Sequence, residues 1–427
     1  MTKYPTYKDS GIEWLGQIPT HWDLLRNKIF ITEHDNVVGQ DAYKYTLLSL
    51  TKQGVIQRDI ESGKGKFPKE FDNYKIVESG NIIFCLFDVD ETPRTVGLSS
   101  IDGMITGAYN VFSIKGINSQ FYYYYFLAVD EAKALRPLYS GLRKVVKTER
   151  FAGLRIPVPP EAEQRQIVAY LDYKSNKINE RICQRERELQ TLSELKQAEI
   201  AAVVTRGLDP NVPMKESGIE WIGQIPAHWE IKYLSQIAEE HYISNKDVHH
   251  QNLLSLSYGR IVRKDINTTE GLLPASFDTY QVIEKGNIIL RLTDLQNDHK
   301  SLRIGLVTEE GIITSAYICI QSRRAVLPEY LYLLLHSYDI CKVFYGMGGG
   351  LRQSLSYADI KRIPIIIPAI PEQVEIIKHI NAKTKNIDIY MESLKKEIEL
   401  LQEYKQRLIS DVVTGKVDVR GVEIPNE

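Results

Sequence analysis

The chain repeats itself. Residues Asp9–Asp23 read DSGIEWLGQIPTHWD and Glu216–Glu230 read ESGIEWIGQIPAHWE, with eleven of fifteen positions identical and the other four conservative. All four tryptophans, Trp14, Trp22, Trp221 and Trp229, fall in this pair. The matches continue in order: LLSL at Leu47 and Leu253, FPKEFDNYKIVESGNII at Phe67 with LPASFDTYQVIEKGNII at Leu273, and VGLSSIDGMITGAY at Val96 with IGLVTEEGIITSAY at Ile304. GLRKV at Gly141 and GLRQS at Gly350 follow, then RIPVPPEAEQRQI at Arg155 with RIPIIIPAIPEQVEI at Arg362. Chance does not produce matches in this order, so the chain is two copies of a unit of roughly 208 residues.

Each copy has two parts. The first alternates short apolar runs with turn signals. GNIIFCLF (Gly80–Phe87), GNIILRL (Gly286–Leu292), MITGAYNVFSI (Met104–Ile114) and IITSAYICI (Ile312–Ile320) have strand character,. FYYYYFLAVDEAKAL (Phe121–Leu135) and EYLYLLLHSYDICKVF (Glu329–Phe344) read as helices. The expectation is an α/β (α+β) globule with a mixed, largely antiparallel sheet, built twice. In the second part, helical pattern runs without Gly or Pro from about Glu161 to Val204 and from about Glu372 to Thr414. Prolines precede each stretch, and Gly207 and Gly415 lie near the exits,. About 43 residues at 1.5 Å each span roughly 65 Å, too long to bury in one such globule. The division is therefore globule 1–155, helix 156–207, globule 208–364, and helix with tail 365–427.

In the second helix Ile387, Met391, Leu394, Ile398 and Leu401 step by four and three, and Leu408 and Val412 keep the phase. This is a coiled-coil seam. The aligned stripe in the first helix is Ile178, Ile182, Arg185, Leu189, Leu192, Lys196, Glu199 and Val203, with three polar members that either fix register or lie at the rim,. If the helices pair antiparallel, the globules sit at opposite ends of a two-helix coiled coil. Alternatives are helices that fold back on their own globules or pair with another chain.

The net charge of −2 offers little overall attraction to nucleic acid,. Charge is locally segregated, however: Arg136, Arg143, Lys144, Lys147, Arg150 and Arg155 lie within twenty residues that hold Glu149 as their single acid. No apolar stretch approaches the roughly 18 residues of a membrane helix, and the first residues carry no apolar run of the signal-peptide kind. Cys85, Cys183, Cys319 and Cys341 form neither C-x-x-C nor zinc spacing, and the expectation is free, mostly buried thiols in a reducing, cytoplasmic setting,.

Two similar globules held at a fixed span suit a split double-stranded DNA target, since equivalent groove faces recur about every 34 Å. Framework segments match between the globules, whereas Thr51–Gly65 and Ser257–Gly271 differ widely, as two heads reading different half-sites would require. Arg forks reach guanine edges, and Lys, Ser and Thr anchor phosphates. The candidate contacts are Lys64, Lys66, Arg94, Tyr109, Arg143, Lys144 and Lys147 in the first copy. In the second they are Arg260, Arg263, Arg291, Arg303, Tyr317 and Arg352. Arg143 and Arg352 sit at matched positions in glycine-rich loops. Tyr109 and Tyr317 are also matched, but an aromatic in a strand more often packs in the core.

The G-I-E-W-[IL]-G-x-I-P-x-H-W-[DE] opening, the E-Q-x-x-I helix start (Glu163, Gln164, Ile167; Glu372, Gln373, Ile376) and the duplicated layout resemble the specificity subunits of type I restriction-modification enzymes. The resemblance spans essentially the whole chain. It implies that each globule is a target-recognition domain and that the helices are spacers. It also implies two methyltransferase subunits, restriction subunits, and methylation of adenine. S-adenosylmethionine, ATP and magnesium would be held by those partners, with no catalytic or metal site in this chain. The paired helices, mixed in charge over Lys395–Glu403, would dock the methyltransferase. The second approach to the helix, IPIIIPAIPEQ, is longer than IPVPPEAEQ and departs from the pattern.

No P-loop and no Asn-Pro-Pro-Tyr-type tetrapeptide is present,. His21 and His228, like His34 and His241, recur without a catalytic constellation and read as structural. The rival readings are a scaffold that binds proteins alone, and a nuclease whose centre the sequence does not reveal.

Overall fold

A computed structural model describes residues 2–58, 71–140, 144–246, 250–266, 276–296, 302–347 and 354–425. The chain divides into two compact units, Met1–Glu186 with Lys396–Glu427, and Arg187–Lys395. The divisions read from the sequence at 155 and 364 mark changes of composition. Packing groups the chain differently, because each unit takes a portion of both long helices.

The first unit is built on a four-stranded sheet in the order Ile31–His34, Asn110–Ile114, Ile82–Phe84, Val96–Leu98. Its central register pairs Phe112 with Ile82 and Val111 with Ile83. Lys75–Val77 pairs with Gly103–Ile105, and Leu48–Thr51 turns back on Gly54–Gln57. Asp23–Arg26 pairs with Arg155–Val158 just before the first long helix. The helix Ser119–Glu131 covers the sheet. Phe121, Tyr122 and Phe126 are buried against Phe84, Phe112 and Phe151.

The second unit has the same plan. Its sheet runs Ala238–Glu240, Ile318–Ser322, Ile288–Leu290, Ile304–Leu306, covered by the helix Pro328–Ile340. Every strand ladder is antiparallel; the parallel pairings among the described residues are the isolated bridges Leu47–Met104 and Leu253–Ile312, again a matched pair. The segments Met104–Ile114 and Ile312–Ile320 each split into two strands in different sheets, because a turn interrupts each segment.

The long helices span Glu161–Arg206 and Ile370–Val413. In the first unit Asn179 meets Lys405, and Arg181 and Arg185 meet Glu397. In the second, Glu188 meets Tyr390, Lys196 meets Asp388, and Glu199 meets His379. Partner numbers fall as residue numbers rise, so the helix segments are antiparallel within each unit. The seam positions Ile178, Ile182 and Leu394 are buried, and Leu189, Leu192, Ile387, Met391, Ile398 and Leu401 are half-buried. Among the polar seam residues, Arg185 and Lys196 are ion-paired across the helices and Glu199 meets His379 at 3.4 Å, each a pairing of modest worth that suits this register,.

Each long helix ends at a glycine. Gly207 and Gly415 both have φ +76°, a conformation that glycine alone adopts without strain. A Cβ at Gly415 would lie 2.3 Å from Pro19 Cδ, and one at Gly207 3.3 Å from Trp229 Cζ2. The tail after Gly415 returns to the first unit. Asp418 bridges to Thr2, Gln166 Nε2 donates to the Val419 and Val422 carbonyls, and the Arg420 guanidinium lies 4.9 Å from the Tyr4 ring centre.

All four thiols are free, as expected, but only Cys85 and Cys319 are buried. Burial pushes the Cys319 thiol up to about 12. Cys183 and Cys341 are exposed, the former on an outward face of the first long helix.

Candidate nucleic-acid interface

The repeated motifs form one lock in each unit. Glu163 is the third residue of its helix, where the exposed amides of the first turn favour a carboxylate,. It is buried, and its Oε1 accepts from Tyr4 Oη at 2.6 Å and Trp22 Nε1 at 2.9 Å, while its Oε2 lies 2.8 Å from His21 Nε2. Burial and this bond push the Tyr4 phenol well above its ordinary value. Glu372 repeats the arrangement with Trp229 Nε1 at 3.0 Å and His228 Nε2 at 2.9 Å. Gln164 accepts from Asn118 N and donates to Pro159 O; Gln373 accepts from Leu327 N and donates to Pro368 O. The E-Q pair therefore fastens each globule to the start of its long helix. The sequence carried the signal in the joint recurrence of H-W and E-Q, and His21 and His228 are structural, as read.

The longer second approach leaves this geometry intact. Val158 and Ile367 both end their strands five residues before the locking glutamate, and Gln164 and Gln373 both reach back five residues. The pairing sets Arg155 opposite Arg26 and Pro364 opposite Tyr233, so Arg155 matches Pro364 and not Arg362.

The candidate contact residues have different fates. Lys64, Lys66, Arg143 and Arg352 lie outside the described residues. Lys144 and Lys147 line one cavity of about 620 Å³ with Phe87, Asp88, Asn110 and Thr148. Lys144 has φ +47° and is ion-paired with Glu91, with Asp90 at 3.6 Å. Lys147 is exposed beside the short helix Thr148–Gly153. Arg150, in the same basic stretch, donates to the Leu138 and Tyr139 carbonyls. Arg94 faces a separate cavity of about 940 Å³.

Tyr109 stacks on Phe87 and packs against the buried Ile83 and Val111, and Tyr317 packs with Ile283 and Cys319. Both are half-buried and pack on core residues, but each sits in the turn just before a strand and not in the strand itself. In the second unit Arg260 and Arg263 lie on one strand three residues apart, which sends them to opposite faces,. Both side chains are exposed, by 72% and 73%; Arg260 lies 3.9 Å from Asp388, and Arg263 grips Glu309 with two nitrogens. Arg291 is half-buried beside Arg303.

Arg303 is a correction. It is fully buried, and its guanidinium donates to Tyr345 Oη and to the Arg291, Thr293 and Asp294 carbonyls. Its amide donates to Asp339, as the Thr95 amide does to Asp130 in the first unit. A guanidinium so committed holds a loop together and cannot reach a base.

No described helix is long and apolar enough to cross a membrane. A family model, the type I restriction modification DNA specificity domain, matches residues 39–189 and 229–400. The chain is 21% identical over 95% of its length to the MjaX specificity subunit of a type I restriction enzyme named in Methanocaldococcus jannaschii, covering 96% of that protein. It is 24% identical over 64% of its length to the MjaVIII specificity subunit of the same organism, covering 64% of it. A solved structure concerned with assembly and conformational transition of the type I restriction-modification system contains a chain that aligns with TM-score 0.61 and 13% identity, covering 94% of this chain and 99% of that one. With its two matched copies, each fastened by the same glutamate lock, this chain belongs to the family of type I restriction modification DNA specificity domains.

Proposed function

We propose that this chain is the sequence-specificity subunit of a type I restriction-modification complex, reading a bipartite, asymmetric DNA site with one half per repeat. The observation that carries this is a frame shared by the two copies, with different side chains at one hairpin. The two units share sheet order, register and helix lock. They differ at the hairpin that packs beside the sheet, where Lys52–Gln53 in one copy corresponds to Tyr258–Gly259 in the other. A fixed frame with different side chains at one place is what two different half-sites need. Lys144, Lys147 and Arg260 are the described cations we assign to DNA contact.

The chain supplies recognition and no chemistry. Two methyltransferase subunits dock on the paired helices, whose outward faces expose Leu195, Ile389, Leu400 and Tyr404. The methyltransferases bind S-adenosylmethionine, and restriction subunits bind ATP and magnesium. Replacing residues 1–155 with the corresponding globule of a relative, then sequencing methylated genomic DNA, tests the reading. One half of the methylated sequence should change and the other persist. A change in both halves, or in neither, overturns it.

A further inference from the structure

The two units place different groups at one matched position beside the helices. In the second unit Asp388 accepts from Lys196 Nζ on both oxygens, at 2.6 and 2.7 Å, and the Arg260 guanidinium lies 3.9 Å away. A carboxylate is thus held between two cations. Aligning the repeats through Glu163 and Glu372, and through Val203 and Val412, sets Asn179 opposite Asp388 and Lys405 opposite Lys196. Lys405 Nζ donates to Asn179 Oδ1 at 2.8 Å, so the pairing is kept and the negative charge is gone.

The first unit also adds a cation at this place. The matched amide bonds of Thr95 and Arg303 set Arg94 opposite Leu302. Arg94 and Lys405 line the same 940 Å³ cavity between globule and helices, with Ser175. Arg94 Nε and Ser175 Oγ are both buried without a hydrogen-bond partner. Burial, and then the charge of Arg94, hold the Lys405 ammonium below its ordinary value. The cavity's own acids are mostly engaged elsewhere. Asp90 and Glu91 pair with Lys144, and Asp130 pairs with Lys133 and the Thr95 amide; Glu131 is exposed to solvent. Two like charges and two unanswered donors in one cavity form a site that lacks an anion.

We propose that this cavity of the first unit binds one phosphate-class oxyanion through Arg94, Lys405 and Ser175, in the place that the second unit fills with its own Asp388. Sequence-specific reading is not assumed, because the ligand is a phosphate group, whether of a free anion or of a nucleic-acid backbone.

Thermal unfolding of the full chain in sodium phosphate and in sodium chloride, at equal pH and ionic strength, tests the site. Phosphate at about ten times its dissociation constant should raise Tm by about 2–3 °C over chloride. Asn179→Asp installs the second unit's carboxylate, and Arg94→Leu installs its neutral residue. Both should lose the phosphate response, and Asn179→Asp should already melt higher in chloride. A phosphate response that is absent from the native chain, or undiminished in Asn179→Asp, overturns the proposal. Binding to duplex DNA of arbitrary sequence then identifies the source. If the backbone supplies the group, Asn179→Asp weakens binding and lowers the log–log salt slope by about one. If binding is unchanged, the ligand is a free anion. A failed globule exchange would leave the phosphate result standing.

Discussion

Glu163 receives the Trp22 indole N–H at 2.9 Å across 141 residues of sequence, and the carboxylate that does so is almost fully buried. Glu372 and Trp229 repeat the bond, but Glu372 is more exposed and has no counterpart of the Tyr4 hydroxyl among the described residues. Removing charge from a buried acceptor with three donors costs more than removing it from a wetter one with two. Glu163→Gln should lower unfolding free energy by about 2–3 kcal/mol and Glu372→Gln by less. Denaturant titration of the two variants checks the order; equal losses would contradict the burial argument.

His336 lies within the second unit's core at the position of Leu127 in the first, and its Nδ1 has no hydrogen-bond partner. Burial, with a smaller contribution from Lys196, holds its pKa at about 4, below the usual 6.5. The unfolded chain therefore binds a proton that the folded chain refuses as pH falls from about 6.5 to 4. Stability is full above that window and declines through it, by up to about 3 kcal/mol. His336→Leu should flatten this part of the pH–Tm curve. An unchanged acid limb in the variant would show that other groups set it.

Gly415 combines a left-handed backbone with the closest approach to a proline ring in the chain's helix exits. Gly415→Ala should destabilise by at least about 2 kcal/mol, and Gly207→Ala by less, since its nearest neighbours lie beyond 3 Å,. Differential scanning calorimetry of both variants compares them directly.

Arg260 and Arg303 should separate recognition from folding. Arg260→Ala, on an exposed face, should leave stability within about 0.5 kcal/mol while weakening DNA binding by the assembled complex,. Arg303→Ala strips a buried loop of its donors and should cost about 3 kcal/mol or more,. Unfolding and filter-binding measurements on the same pair decide this. A stable Arg303→Ala with altered site preference would restore Arg303 as a contact.

Lys196 and Asp388 pair across the helices within the second unit. A double-mutant cycle with Lys196→Ala and Asp388→Ala should give a coupling of about 0.5–1 kcal/mol, because both groups are partly wet,. Coupling near zero would assign Lys196 to the solvent rim.

The sequence alone determined the duplication, the two long helices to within two residues, the seam, and the glycine exits. Each of these is written in local periodicity or in direct self-similarity, and the second copy serves as a check on the first. It also marked Glu163, Gln164, His21 and Trp22 as a recurring set without saying that they touch. Only the tertiary structure joined them, gave the tail after Gly415 to the first unit, and buried Arg303 while leaving Arg260 in solvent. An arginine looks the same in a sequence whether its nitrogens meet carbonyls or water. That difference arises from chain segments far apart in number, and folding alone brings them within bonding distance.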